Sequence, residues 1–544
     1  MDTVETRNHA SRQDLDREDE ESQPYLTSSE EEQQGESNGE VKDDRRTNLS
    51  RTQSTASIAE TLSPVREFFF VACIVLIQFL TQAGLGQTLS ILHVIGDHYH
   101  ITNPGTLSWL IAGYSLTIGS FILLSGRFGD VFGYKKMVMV GYCWFALWSV
   151  IAGLAVYSNH VLFIFARVFQ GIGPSICLPN GLAILGASYA PGKKKAMMFA
   201  LFGAAAPGGS IVGALFASIF NLVWWPWTFW SFAITLLVTA LVGSYAIPDP
   251  PRKTSDNEHM TMRERMIQLD ILGGSVGVTA LILVNFAWNQ SGVVGWKEPY
   301  VYVCLIVGLL LFPVFFYIEK KASAPLIPFE ALSSDVAFVL ACVACGWACF
   351  GIWVYYIWQI VEVLRGVSPL LATAYICPVA VSGACASIAT GYLLGRLKPA
   401  WVMTIALTMF TIGTILIATC PVDQIYWAQI FVCTVVIPWG MDMSFPAATL
   451  ILSNAVKKEH QGIAASLVNT VVNYSISLGL GFAGTIEGRV NNGGQTPSDT
   501  LKGYRGALYF AIGLAGLGIA VSVSFLIKSY AHEGRQKREE VEKD

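Results

Sequence analysis

The chain has 544 residues, 53% hydrophobic and only 14% charged, with a mean hydropathy of +0.49 and a formal net charge of −4. A soluble domain carries nearer a quarter charged residues, so the composition excludes an ordinary water-soluble globular protein. Apolar runs long enough to cross a bilayer recur along almost the whole length, as an all-α polytopic membrane protein requires.

In chain order, residues 1–63 come first, rich in Ser, Glu, Asp, Gln and Arg and without apolar periodicity; they are expected to be a disordered acidic tail. Within that tail Ser28 and Ser29 precede Glu30, Glu31 and Glu32, either a solvated acidic stretch or an acceptor for an acid-directed kinase. Six apolar runs follow, at about 66–92, 107–126, 136–156, 161–186, 196–219 and 226–246. Two more lie at about 270–289 and 299–318, and a last six at about 336–361, 370–393, 400–420, 425–452, 461–486 and 505–528. The expected division is a six-helix half over 64–248, a linker with two inserted helices over 249–325, a second six-helix half over 326–530 and a tail over 531–544.

The link between the second and third runs, Gly126-Arg127-Phe128-Gly129-Asp130-Val131-Phe132-Gly133-Tyr134-Lys135-Lys136, is short, charged and punctuated by glycine. A link this short makes the two helices antiparallel neighbours, and its glycines allow close approach and a tight turn. Gly126, Arg127, Asp130, Gly133, Lys135 and Lys136 read as a polar clamp that holds two helices in one arrangement and releases them in another. Asp130, paired with Arg127 or a neighbouring cation, is then a conformational latch. Orientation follows from loop Lys and Arg. With the acidic tail inside, inner loops hold sixteen such residues, and outer loops only Lys297, Arg365, Arg489, Lys502 and Arg505. Both termini and the clamp are therefore expected on the cytoplasmic side.

A shift of 267 residues lays Gly173-Pro174-Ser175-Ile176-Cys177-Leu178-Pro179 over Gly440-Met441-Asp442-Met443-Ser444-Phe445-Pro446, each followed by an apolar stretch and a basic loop. The short basic link returns as Gly395-Arg396-Leu397-Lys398, without its acid. Two related halves around a central site are how many secondary transporters are built.

Arg167 lies within a helix, where an arginine costs about 2.5–3.5 kcal/mol at the centre on insertion scales. It should therefore face a cavity or a partner, or snorkel to the interface; the repeat places neutral Thr434 opposite it. Asp442 is the carboxylate placed well inside an apolar run, a candidate for proton coupling because burial favours the neutral acid. Glu362 and Glu487 fall near helix ends and read as solvated rim charges. Gln78 and Gln82, four apart, and Asn469 and Asn473, also four apart, form polar stripes on two sequence-distant helices. Amides inside a bilayer need partners, so these stripes are interhelical glue or the lining of a polar cavity. Trp353 and Tyr356 add aromatic surface to that lining, and Pro207 predicts a bend within the small-residue run 203–213.

The eleven cysteines fall inside apolar runs, which indicates no disulfide framework, and Cys342, Cys345 and Cys349 read as a packing face rather than a metal site. No Gly-x-x-x-x-Gly-Lys-Ser/Thr stretch occurs and no loop is large enough for a catalytic domain. The expectation is no enzyme, no metal and no cofactor beyond a proton gradient. The expected partners are a small-molecule substrate and the lipid bilayer, with no nucleic acid, and the expected state is monomeric.

At these residues the chain resembles the major facilitator superfamily. The 126–136 link matches that family's loop signature between its second and third helices, and Arg167, Gln170, Gly171 and Gly173 match its fourth-helix signature. Gln170 thereby joins the candidate cavity residues. Pro207-Gly208-Gly209 resembles the fifth-helix antiporter signature, with Ala206 where a glycine is usual. Fourteen spans resemble the drug:proton antiporter branch, whose major-facilitator fold has two six-helix halves plus two extra central helices. Within it, the runs 440–446, 466–475 and 501–507 resemble the fungal aminotriazole-resistance transporters. That group includes exporters of aminotriazole-like toxicants and of boron, and a low-affinity ammonium transporter. The resemblance implies proton-coupled export of small toxic solutes, at the plasma membrane or the vacuolar membrane. Gln78 and Gln82 stand where the broader branch carries an acid, which moves proton coupling to Asp442 or removes it. Two alternatives stay open, a small-solute or ammonium facilitator without obligatory coupling and a non-transporting membrane sensor.

Overall fold

A computed structural model of the chain describes residues 58–190, 192–249, 261, 264, 267–323, 325–327, 333–455 and 461–541. The acidic tail through residue 57, with Ser28 and Ser29, lies outside the described residues, as does most of the loop 250–266.

The described chain is helical, without a strand. In order come α1 (Pro64–Leu89), a short α2 (Leu92–His98), α3 (Pro104–Phe132), α4 (Tyr134–Leu154), α5 (His160–Gln170), α6 (Ile172–Ser188), α7 (Lys193–Asn221) and α8 (Trp227–Ala246). The inserted pair is α9 (Ile271–Val294) and α10 (Pro299–Lys321). The second half contains α11 (Ser334–Gln359), α12 (Pro369–Ile376), α13 (Pro378–Leu394), α14 (Pro399–Ala418), α15 (Gln429–Ala455), α16 (Gln461–Val490) and α17 (Pro497–Val541). Among the described residues 13 helical spans are long and apolar enough to cross a membrane, with α5–α6 and α12–α13 each making one span. The 30-residue α16 is not among them, so the expected count of fourteen depends on its inclusion.

Local chemistry sets the helix ends. Pro104 supplies a preformed first turn to α3, and Asn103 caps it by accepting from the Gly105 and Thr106 amides at 2.8 and 3.3 Å. Asn159 caps α5 through the Leu162 amide at 2.9 Å. The run expected over 161–186 is broken at Gly171, where a Cβ would lie 2.2 Å from Thr117 Oγ1 and 2.3 Å from the Tyr114 carbonyl. The backbone of α3 passes that close. The run over 370–393 is broken at Cys377 because Pro378 has no amide to continue the ladder. Pro207, by contrast, lies within a continuous α7. At the other end α17 continues past the expected end of the apolar run near 528 to Val541, through a stretch of Ala, Glu, Arg, Gln and Lys that favours helix in water.

Packing pairs the halves reciprocally. The second span of the first half, α3, packs along the fifth span of the second half, α16; the fifth span of the first half, α7, packs against the second span of the other, α12–α13. The repeat glycines play matching roles. A Cβ on Gly173 would lie 2.5 Å from Phe145 on α4, and one on Gly440 would lie 2.7 Å from the Phe410 ring on α14. The inserted α9 packs on both α3 and α16, while α10 packs chiefly on α9 and presents Leu309, Leu310 and Tyr317 outward.

Candidate functional site

The signature link is shorter than the sequence implied. α3 runs through Phe132 and α4 starts at Tyr134, so Gly133 alone makes the turn, at a φ of 99° that favours glycine. The charged residues therefore decorate helix ends. A Cβ on Gly126 would lie 3.7 Å from Pro179 and 3.8 Å from Ser466, which puts this glycine where α3 meets α6 and α16. Arg127 donates to the carbonyl of Pro325, in the segment that follows α10. Asp130 accepts from the Tyr134 hydroxyl at 2.5 Å and makes no ion pair with Arg127. Lys135 lies 3.7 Å from Asp249, in the segment that follows α8, and Lys136 is exposed. The arginine thus reaches across to the inserted region, while the acid stays on its own turn.

Arg167 is fully buried and faces neither a carboxylate nor solvent. Its guanidinium donates to the carbonyls of Leu110 at 3.2 Å and Gly84 at 2.9 Å and to the side chain of Gln170, and it lies 4.4 Å from the centroid of the Tyr114 ring. Gln170 in turn donates to Ser149 at 2.7 Å, and the Tyr114 hydroxyl donates to the Thr81 carbonyl at 2.8 Å. One cation thereby joins α1, α3, α4 and α5.

Asp442 sits in α15 between Pro438 and Pro446, 9% exposed, and its Oδ2 has no hydrogen-bond partner among the described residues. Ser387 of α13 is its polar neighbour. A Cβ on Gly383 would lie 2.9 Å from that oxygen and 2.6 Å from Pro207 of α7. The carboxylate therefore occupies the place where α13 of one half meets α7 of the other, and glycine at 383 lets them close.

On α1, Gln78 and Gln82 are half-buried with no hydrogen bond among the described residues, and deeper in the same helix Gln87 Nε2 and Thr88 Oγ1 are buried without partners. On α16, the Asn473 amide donates to the Asn469 carbonyl at 3.0 Å, while Thr470 Oγ1 is unpartnered. Trp353 donates to Cys433 Sγ at 3.0 Å and Tyr356 to Glu487 at 2.7 Å. Glu487 is thus no solvated rim charge: it is 3% exposed and packed beside Tyr356 and Tyr504. Glu362, in the single π turn that follows α11, is half-buried with Oε1 unpartnered. His93 on α2 meets Gln359 at 2.7 Å, and burial pushes its imidazole below the ordinary range despite that contact. Sequence reasoning missed His93. Its signal is a polar residue just beyond an apolar run, which is too common to single out alone.

A family model described as Major Facilitator Superfamily matches residues 72–480 and 383–543. The chain is similar to a low affinity ammonium transporter of Saccharomyces cerevisiae, 55% identical over 460 residues that cover 84% of this chain and 88% of that protein. It is similar to the efflux pump terG of Aspergillus terreus, 43% identical over 472 residues, 87% of this chain and 89% of that protein. It is also similar to the aminotriazole resistance protein of Saccharomyces cerevisiae, 36% identical over 487 residues, 88% of this chain and 87% of that protein. Among solved structures, a POT family transporter in complex with a thioalcohol conjugated peptide superposes with a TM-score of 0.61 at 13% identity, covering 85% of this chain and 96% of that one. At that identity the likeness concerns the fold alone. Signature loop, reciprocal halves and close relatives agree: the chain is a multi-pass membrane transporter, not an enzyme, and belongs to the Major Facilitator Superfamily.

Proposed function

We propose that the protein exports small toxic solutes by alternating access, driven by protons carried on Asp442. The observation that carries this reading is the carboxylate with an unpartnered oxygen at the contact between α7 and α13. Buried polar atoms without partners are rare and expensive. A carboxylate so placed changes its charge when the surrounding helices change its contact with water. Separation of α7 from α13 hydrates Asp442 and favours release of its proton; closure favours the neutral acid. Gln78, Gln82 and Thr470 offer amide and hydroxyl groups to a polar solute, whereas Arg167 and Gln170 hold the first half together. The relatives named as an efflux pump and an aminotriazole resistance protein support the export direction. The distribution of loop cations supports cytoplasmic termini, and the reading takes the protein as a monomer with fourteen crossings in the plasma membrane.

The test is solute flux in sealed vesicles under an imposed pH gradient, comparing the native chain with Asp442→Asn. Gradient-driven flux that disappears in the variant is the expected result. Equal driven flux in both would remove Asp442 from the mechanism.

A second reading is low-affinity movement of ammonium or another small solute without obligatory coupling. It is favoured by the 55% identical relative of that name and by glutamines, not an acid, at positions 78 and 82 of α1. Methylammonium uptake that ignores the gradient and survives Asp442→Asn would select it.

A further inference from the structure

A second pair of acids, which the transport reading leaves unused, lies where the inserted helices begin and end. Asp270 caps α9 from a left-handed conformation (φ 43°), which apart from glycine only Asn and Asp adopt with any ease. Glu319, in the last turn of α10, is 1% exposed. One oxygen of each acid is satisfied by backbone: Asp270 Oδ1 accepts from the Gly273 amide at 3.2 Å, and Glu319 Oε2 accepts from the Ile327 amide at 3.3 Å. The other two, Asp270 Oδ2 and Glu319 Oε1, are buried and unpartnered, and they converge over one glycine. A Cβ on Gly273 would lie 2.4 Å from the first and 2.9 Å from the second. Two carboxylates that face each other away from water cannot both be charged, and a single proton between them removes the conflict.

The pair is wired to the signature loop. Ile327, which donates to Glu319, stands two residues from Pro325, whose carbonyl receives Arg127. Leu326 between them is buried, and the position of a Cβ on Gly274 lies 2.8 Å from Leu124 of α3 and 3.3 Å from Leu326. The strap 325–327 therefore joins α3, α9 and α10 at one point.

We propose that Asp270 and Glu319 form a one-proton site whose occupancy holds the strap 325–327, and through it Arg127 of the signature loop, in the docked position. When the proton leaves to water, repulsion between the carboxylates opens the pair, the Ile327 amide loses its acceptor and the strap loosens. No bond other than O–H forms or breaks. Among the described residues, few other charges face the site. α9 carries none; α10 carries Lys320 and Lys321, both exposed, the latter bonded to Tyr317 at 2.5 Å; α3 presents Arg127, already on Pro325; and α16 has only Glu487 and Arg489 near its far end. The site goes beyond the Asp442 reading, since it can gate the loop whether or not flux is coupled.

The test is hydrogen–deuterium exchange of the Leu326 and Ile327 amides in the full chain in lipid nanodiscs, corrected for intrinsic pH effects. Exchange should rise on the order of tenfold as the pH is raised from mildly acidic to mildly alkaline, the scale of one proton's linkage over one pKa unit. Glu319→Gln keeps a neutral acceptor for Ile327 and an N–H for Asp270, so it should stay protected across the range. A flat response in the native chain overturns the proposal, with or without a foldable variant. So does a native-like response in Glu319→Gln, which would assign the proton elsewhere. Asp442→Asn should leave the strap's response intact, so the two readings fail separately.

Discussion

Arg167 is a cation with no counter-ion among the described residues, and its geometry explains how the fold tolerates it. A guanidinium presents five donors in a planar fork, and here that fork spans two carbonyls and an amide oxygen while its face rests on Tyr114. A lysine keeps the charge but reaches no such set of acceptors. Arg167→Lys should therefore destabilise the chain by about 2–3 kcal/mol, since charge-assisted bonds contribute roughly that much and the abandoned carbonyls stay buried. A lower melting temperature in detergent would register it; an unchanged one would mean the fork adds nothing over a point charge. The cost of burying charge made Arg167 conspicuous in the sequence. Its acceptors were not legible, because backbone carbonyls exist at every position and only packing selects Gly84 and Leu110. The same limit hid the partner of Arg127, a carbonyl 198 residues away in the chain.

The inserted α9 works as a polar seam between the halves. Asn289 donates to Asn285 Oδ1 at 2.7 Å and to the Ser477 carbonyl at 3.2 Å, and Ser477 donates to Ala112 of α3 and to Asn285, each at 2.9 Å. Asn103 of the preceding loop reaches the Val293 carbonyl at 3.0 Å. Such interhelical bonds average only about 0.6 kcal/mol in bilayers and reach about 1.7. Asn289→Ala, which removes one bond to α16 and two within α9, should thus cost about 1 kcal/mol. Leu309→Ala on the outward face of α10 should cost less than about 0.5 kcal/mol. Unfolding in mixed micelles compares the two, and equal costs would deny the seam its role. The sequence located α9 because an unbroken apolar run of that length has few alternatives in a membrane protein. It did not disclose the seam, since a helix that is apolar nearly all round has no moment to mark its inner face. The breaks at Gly171 and Cys377 divide in the same way: Pro378 was visible as a missing amide, whereas the approach of Thr117 to Gly171 is tertiary.

For the whole molecule, the reciprocal pairing of α3 with α16 and of α7 with α12–α13 means that the halves meet along two symmetry-related seams. Alternating access requires these seams to open at one end while they close at the other. In this structure the second seam is shut at the end where Ser218 of α7 and Thr373 of α12 share a hydrogen bond at 3.0 Å, both side chains buried. Nearer the signature-loop end of these helices, a Cβ on Gly203 of α7 or Gly391 of α13 would meet nothing within 4 Å. Oxygen atoms this close mark positions where cysteines can bridge with little backbone movement. The double variant Ser218→Cys, Thr373→Cys, in a background stripped of the nearby Cys377, should therefore oxidise readily. Once bridged, the protein can no longer part its halves at that end, and solute flux should fall to the level of empty vesicles. A reductant should restore it, which separates a trapped cycle from a damaged fold. Full flux through a fully bridged protein would show that this end never opens, and the alternating motion would then have to be sought in the α3–α16 seam alone.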